Sequence, residues 1–196
     1  MTIVPPAIQL VGLTKCFDRT TACDRIDLDV RRGEILALLG ENGSGKTTLT
    51  NMLSGIYQPD AGQVLLDGKP AVIRSPRDAI RLGIGMIHQH FKLVEVLTAR
   101  ENILLGQRGL VSIQPEKALA AFGMAVELNK KVYEMSVSEK QAAEILKVLC
   151  RGADKLILDE PTAVLTPQEI QNLFDTLDRM RREGKAVIII THKLDE

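Results

Sequence analysis

The chain has 196 residues, which at about 150 residues per domain leaves room for one domain and part of a second. Hydrophobic residues make up 45% and charged ones 26%, an ordinary globular balance that excludes collagen-like, coiled-coil and disordered classes. Twenty-five basic residues offset twenty-five acidic ones and aromatics are only 3%, so the positive field and stacking platforms of a nucleic-acid binder are not expected.

Residues 1–6 carry neither a basic segment nor an apolar one, and no secretory signal is expected. Cys16, Cys23 and Cys150 form no CxxC pair and read as reduced cytosolic thiols. The longest apolar run, 118–126, falls well short of the roughly 18 residues of a membrane span, so any membrane must be reached through another chain.

Residues 8–13, 26–30 and 63–66 alternate as strands of an antiparallel unit, with Asp67-Gly68 as a turn after the last. Residues 34–39 are almost continuously apolar, as a strand covered on both faces should be, and run straight into a glycine-rich loop. Residues 155–158 and 186–190 repeat that pattern, and the three are expected side by side in a mainly parallel α/β sheet. The segment 106–133 predicts a helix over about 116–128, with Pro115 and Gly123 blurring its ends. A second helix starts in 136–139, capped by Ser136 with Glu139 or by Ser138 with Gln141, and Ala142, Ile145, Leu146 and Leu149 form its apolar face. A third opens at the capping box Thr166-Pro167-Gln168-Glu169, carries Ile170, Leu173, Phe174 and Leu177 inward, and closes at Gly184.

The sequence Gly40-Glu41-Asn42-Gly43-Ser44-Gly45-Lys46-Thr47 fits G-x-x-x-x-G-K-[ST], with a buried strand before it and a helix after it. Such a loop curls so that successive backbone N–H groups, from Gly40 through Thr48, face phosphate oxygens at a helix N-terminus. Lys46 is expected to reach the β and γ phosphates, and the Thr47 hydroxyl to ligate Mg²⁺. Asp159 and Glu160 end a buried strand, where Asp159 suits Mg²⁺ and Glu160 suits a general base facing the γ-phosphate. Gln89 and His192 also follow apolar runs, and ligands of open α/β sheets bind beyond such strand ends. Gln89 could ligate Mg²⁺ and position the attacking water, and His192 could hydrogen-bond the γ-phosphate. His88 and His90 lack carboxylate or cysteine neighbours in sequence and read as loop or surface residues.

With these motifs in this order the chain resembles the ATP-binding cassette family over nearly its whole length. The resemblance rests on Phe17 as an adenine-stacking aromatic, the phosphate loop, Gln89, the signature segment 135–141, Asp159-Glu160, the segment 163–166 and His192. It implies a P-loop NTPase with a RecA-like parallel core, an N-terminal antiparallel β subdomain and a shortened helical subdomain at roughly 95–150. One nucleotide-binding domain over 1–196 follows, with ATP and Mg²⁺ as cofactors. The family pairs two such domains head to tail, so Ser136, Ser138 and Glu139 would meet the partner's ATP. The segments LTARENILLG (97–106), DEPTAVLTPQE (159–169) and THKLDE (191–196) look like ATP-binding subunits of bacterial simple-sugar and nucleoside importers. Partners implied are transmembrane permease subunits at the cytoplasmic membrane face, received near 89–97, and indirectly an external binding protein.

The signature here reads Met135-Ser136-Val137-Ser138-Glu139, with Ser138 where the family has glycine and Ala142 where relatives usually carry Arg. Thr166 occupies the usual aspartate position of the segment after Glu160. The chain also extends only four residues past His192, so it resembles the first half of a two-cassette chain. A catalytically weak cassette and a soluble cassette ATPase without a transport role are the alternatives.

Overall fold

The computed structural model describes residues 4–106 and 113–192. Its first layer is an antiparallel sheet of β1 (Ile8–Phe17), β2 (Thr20–Val30), β4 (Ala61–Leu66) and β5 (Lys69–Ala71), in the order β2-β1-β4-β5. The first two strands run further than the alternation alone reveals. β1 continues through polar residues to Phe17, and register shifts after Leu10 and Leu13 twist the ladder as it does so.

The second layer is a parallel sheet of β3 (Ile35–Leu39), β8 (Ala186–Thr191), β7 (Lys155–Asp159) and β6 (Ile84–Ile87), in the order β3-β8-β7-β6. The three apolar runs do lie side by side, with β8 central. Successive side chains point to opposite faces, and both faces are covered. Leu156, Leu158, Val187 and Ile189 enter one core with the helices, whereas Ile157, Ile188 and Ile190 enter the other with the antiparallel sheet. Leu156, Ile157 and Leu158 are each 0% exposed, so truncating any one to Ala costs about 2–5 kcal/mol.

Helices α1 (Lys46–Leu53), α2 (Pro76–Arg81), α3 (Ala99–Leu104), α4 (Pro115–Phe122), α5 (Val137–Cys150) and α6 (Pro167–Arg182) complete the described chain. The helix expected over 116–128 stops at Phe122. Gly123 ends it in the left-handed conformation (φ 61°), and the Arg179 guanidinium of α6 packs where a Cβ would sit. Ser136, with Glu139, is the residue that caps α5. The buried stripe of α5 holds Ala143 in place of Ala142, because Gln141 and Glu144 also turn inward. The α6 box forms as read, with Thr166 and Glu169 bonding each other's backbone. No described helix is long and apolar enough to cross a membrane.

Charge fastens the two layers at the end opposite the strand C-termini. Lys155, 2% exposed, pairs with Asp67 (3.0 Å) of the β4–β5 turn and with Asp154 (2.9 Å), and Arg32 bridges the same two carboxylates.

Candidate functional site

The parallel order brings four strand ends to one edge. β3 feeds the glycine loop, β8 ends just before His192, β7 ends in Asp159 with Glu160 next, and β6 leads to Gln89. The strand ending at Glu160 lies between those leading to His192 and Gln89, and the side chains use that order. The Gln89 Nε2 donates to Glu160 Oε2 at 2.9 Å, and His192 Nδ1 lies 3.0 Å from Glu160 Oε1. One carboxylate is thus fixed by both of its oxygens.

Its backbone is strained to achieve this. Glu160 has φ 47°, the left-handed region that costs a side-chain-bearing residue roughly 1–2 kcal/mol, and its N–H remains bonded to the Ile190 carbonyl at 2.9 Å. Pro161 follows, without an N–H. The Gln141 side chain of α5, 4% exposed, donates to the Pro161 carbonyl at 2.8 Å and so anchors the turn from the other side.

The loop from Gly40 to Gly45 leads into α1, whose N-terminus opens toward the same edge. Gly45 has φ 91°, and a Cβ there would lie 2.3 Å from the Ala22 carbonyl oxygen of β2, so only glycine fits. Lys46 Nζ folds back over the loop to the Gly40 and Glu41 carbonyls and the Ser44 hydroxyl, the latter two at 2.8 and 3.3 Å. Leu39, Gly40, Glu41, Asn42 and His192 line a cavity of about 470 Å³. Thr47 is exposed on the first turn of α1, followed by half-buried Thr48.

Asp159 is half-buried and makes no ion pair among the described residues; burial first, and then neighbouring Glu160, push its carboxyl above the usual range. One such carboxylate, the Thr47 hydroxyl and the Gln89 amide oxygen suit a hard cation that completes its shell with phosphate and water oxygens. Among the described residues, no group of three or more His, Cys, Asp or Glu is placed to hold a metal ion.

Two groups of expected site residues stand apart from this edge. Ser136 caps α5, and Ser138 and Glu139 line a separate cleft of about 520 Å³ with Gly123, Asn172 and Arg179. There Ser138 Oγ lies 3.0 Å from Ser136 Oγ, and Lys130 (2.9 Å) holds Glu139 below the usual carboxylate range. Phe17 sits at the end of β1, 39% exposed, with Tyr57 edge-on at 5.1 Å. It is therefore not a core phenylalanine.

His88 lies in the loop that follows β6, as expected, but not at the open surface. It is half-buried beside Gln89 and lines a cavity of about 210 Å³ with Ile56, Ile80, Met86, Lys92 and Val148, where burial lowers its pKa. Sequence reasoning missed Asn102, which is 1% exposed and bonds the Val94 N–H (2.7 Å), Val94 carbonyl and Thr98 carbonyl, pinning the segment after Gln89. The sequence patterns offer Gln141 as a possible cap and as the end of the segment 135–141, and not as a buried anchor. The available signal was a polar residue at each of two positions facing an apolar core.

Residues 23–163 match the ABC transporter family. The chain is 48% identical to the nucleoside import ATP-binding protein NupA of Lactococcus lactis over 96% of its own length and 39% of that protein's. It is 44% identical to the ribose import ATP-binding protein RbsA of Corynebacterium glutamicum, over 97% of its length and 38% of that protein's. It thus spans about two fifths of the length of these curated relatives. Among solved structures, MJ1267, an ATP-binding cassette of an ABC transporter seen in its ADP conformation, superposes with a TM-score of 0.86 at 24% identity, over 96% of this chain and 82% of that one. That likeness bears on the fold alone.

Proposed function

The chain belongs to the ABC transporter family, and from that premise we propose that it binds and hydrolyses ATP to power an importer of nucleosides or simple sugars. The observation that carries this reading is Glu160, held by Gln89 and His192 at the strand edge that also bears the phosphate loop. Residues 1–196 form one nucleotide-binding domain, with the helical subdomain at roughly 95–150.

In this reading the backbone N–H groups of the loop from Gly40 to Thr48 cradle the phosphates, and Lys46 leaves its carbonyl partners for the β and γ oxygens. Thr47, Gln89 and Asp159 hold Mg²⁺, which when bound offsets charge on those oxygens. Glu160 takes the proton of the attacking water, Gln89 orients that water, and His192 hydrogen-bonds the γ-phosphoryl as charge builds on it. Phe17 stacks on adenine. Ser136, at the cap of α5, and Ser138 and Glu139, which line a cleft of their own, serve the ATP of a second nucleotide-binding domain, arranged head to tail.

Permease subunits dock near 89–97, at the cytoplasmic membrane face, and an external binding protein acts through them. Ile56 and Ile80 are exposed and line the cavity beside His88, and Val94 and Val96 are exposed within 89–97, apolar surface suited to a helix from such a permease. The names of NupA and RbsA support the cargo class.

Mg·ATP hydrolysis by the purified chain across a concentration series, with Glu160→Gln as control, tests the reading. Turnover should rise faster than linearly with protein and vanish in the variant, which still binds ATP. Undiminished turnover in Glu160→Gln removes the base assignment. Tight binding without turnover in the parent chain marks it as a weak cassette.

A further inference from the structure

Phe17 is not simply an exposed ring at a strand end; its neighbours constrain it on more than one side. Tyr57 meets it at 5.1 Å between centroids with the planes at 72°, an edge-to-face pair. The Lys15 ammonium lies over the ring, 5.5 Å from its centroid, within cation–π range. Lys15 is itself fixed, because Asp60 accepts from its Nζ at 2.9 Å and from the Cys16 N–H at 2.7 Å. Asp60 also donates its N–H to the Thr14 carbonyl, so the segment carrying Tyr57 is laced to β1 beside Phe17. That segment directly follows α1, and the Tyr57 N–H bonds the Asn51 carbonyl of that helix at 3.0 Å.

The same hairpin touches the phosphate loop. Ala22 presses its carbonyl against Gly45, and Thr20, which pairs with Phe17, stands two strand residues, about 7 Å, along β2 from Ala22. This short interval sets the Phe17 end of β1 near the glycine loop.

We infer that Tyr57 and Lys15 are positioning residues for the nucleotide base: they fix the Phe17 ring so that its open side meets adenine, and they contribute nothing to holding the triphosphate. The inference rests on the ATP-binding reading above and adds residues that reading did not contain. An unheld Phe17, exposed at a hairpin tip, would spread over rotamers and lose part of its stacking to that entropy.

The experiment compares Mg·ATP with Mg·tripolyphosphate, a ligand with the phosphates and no base, by calorimetric titration of the chain and of Tyr57→Leu, Tyr57→Phe and Lys15→Met. Leucine keeps apolar volume and methionine keeps the lysine stem, so both variants retain their packing, checked by melting temperature. The expected result is ATP affinity about five-fold weaker in Tyr57→Leu and Lys15→Met, tripolyphosphate affinity unchanged in both, and Tyr57→Phe matching the parent. Equal losses for both ligands, or no loss for ATP, overturn the inference. A parent chain that binds ATP no tighter than tripolyphosphate also overturns it. Failure of the parent to bind either ligand instead refutes the nucleotide reading itself.

Discussion

Gln141 reaches from the second turn of α5 to the carbonyl of Pro161, one residue past Glu160, at 2.8 Å. The capped start of that same helix carries Ser136 and Ser138, so a single side chain links the segment 135–141 to the turn that carries Glu160, the proposed base. Both ends of the bond are buried, and losing the donor leaves a carbonyl unpaired at a cost of about 1–3 kcal/mol. Gln141→Leu should lower kcat for ATP about tenfold, because Glu160 relaxes from its left-handed backbone, while the KM for ATP is unchanged. A rise in KM with kcat preserved would show that the bond supports nucleotide binding and not the base.

Ser138 departs from the glycine of the family signature, and its hydroxyl is drawn to Ser136 and to Glu169, whose carboxyl is held down first by the Thr166 N–H and then by Ser138. The side chain is thus held between Ser136 and Glu169, and in the proposed head-to-tail pair it would stand between α5 and the partner's phosphate. Ser138→Gly should raise dimer turnover several-fold, at a stability cost of up to about 1 kcal/mol for glycine in a helix. Unchanged turnover would mean that the serine is accommodated without crowding.

Much of this was legible because it is local. Capping boxes at Ser136 and Thr166 are sequence patterns with one geometric outcome, and the apolar strands could only be buried ones. The phosphate loop and the order of the polar strand ends likewise came from short motifs, and the parallel sheet then brought Gln89, Glu160 and His192 together. What escaped depends on distant partners. The helix after Pro115 stops at Gly123, a residue that blurs its end in the sequence, and the space beside that glycine is filled by Arg179, fifty-six residues away. The strand over 155–158 was legible, but the burial of Lys155 at its start depends on Asp67, eighty-eight residues away, together with neighbouring Asp154, and Tyr57 meets Phe17 only because the turn after α1 returns to it.

The Lys155 network makes its own test. Lys155 is 2% exposed, while Arg32 also pairs with Asp67 (2.7 Å) and Asp154 (3.0 Å). Replacement by alanine or by methionine removes the buried cation and leaves Arg32 over the two acids, but methionine keeps the stem volume that alanine loses. Lys155→Ala should therefore destabilise by about 3 kcal/mol or more in urea unfolding, and Lys155→Met by less than half of that. Equal losses would show that the charge matters and the packing does not.

Asp159 gives the clearest dependence on pH. Burial, and then Glu160, raise its folded-state pKa above the ordinary value of 3.8, so folding favours the protonated acid. Its contribution to stability is full below 3.8 and is lost as pH rises through the raised folded value, which makes the ionised carboxylate a net cost at pH 7. Asp159→Asn should therefore melt above the parent at pH 7, with the gap opening between the ordinary and the raised pKa and disappearing below it. Adding Mg·ATP should reverse the order, because a ligand that binds only the folded state stabilises in proportion to its affinity and the variant lacks the carboxylate that suits Mg²⁺. ATP with EDTA is the control, since there the variant should keep its advantage. If Mg·ATP and ATP with EDTA shift both proteins equally, Asp159 does not hold the metal and its burial serves the fold alone.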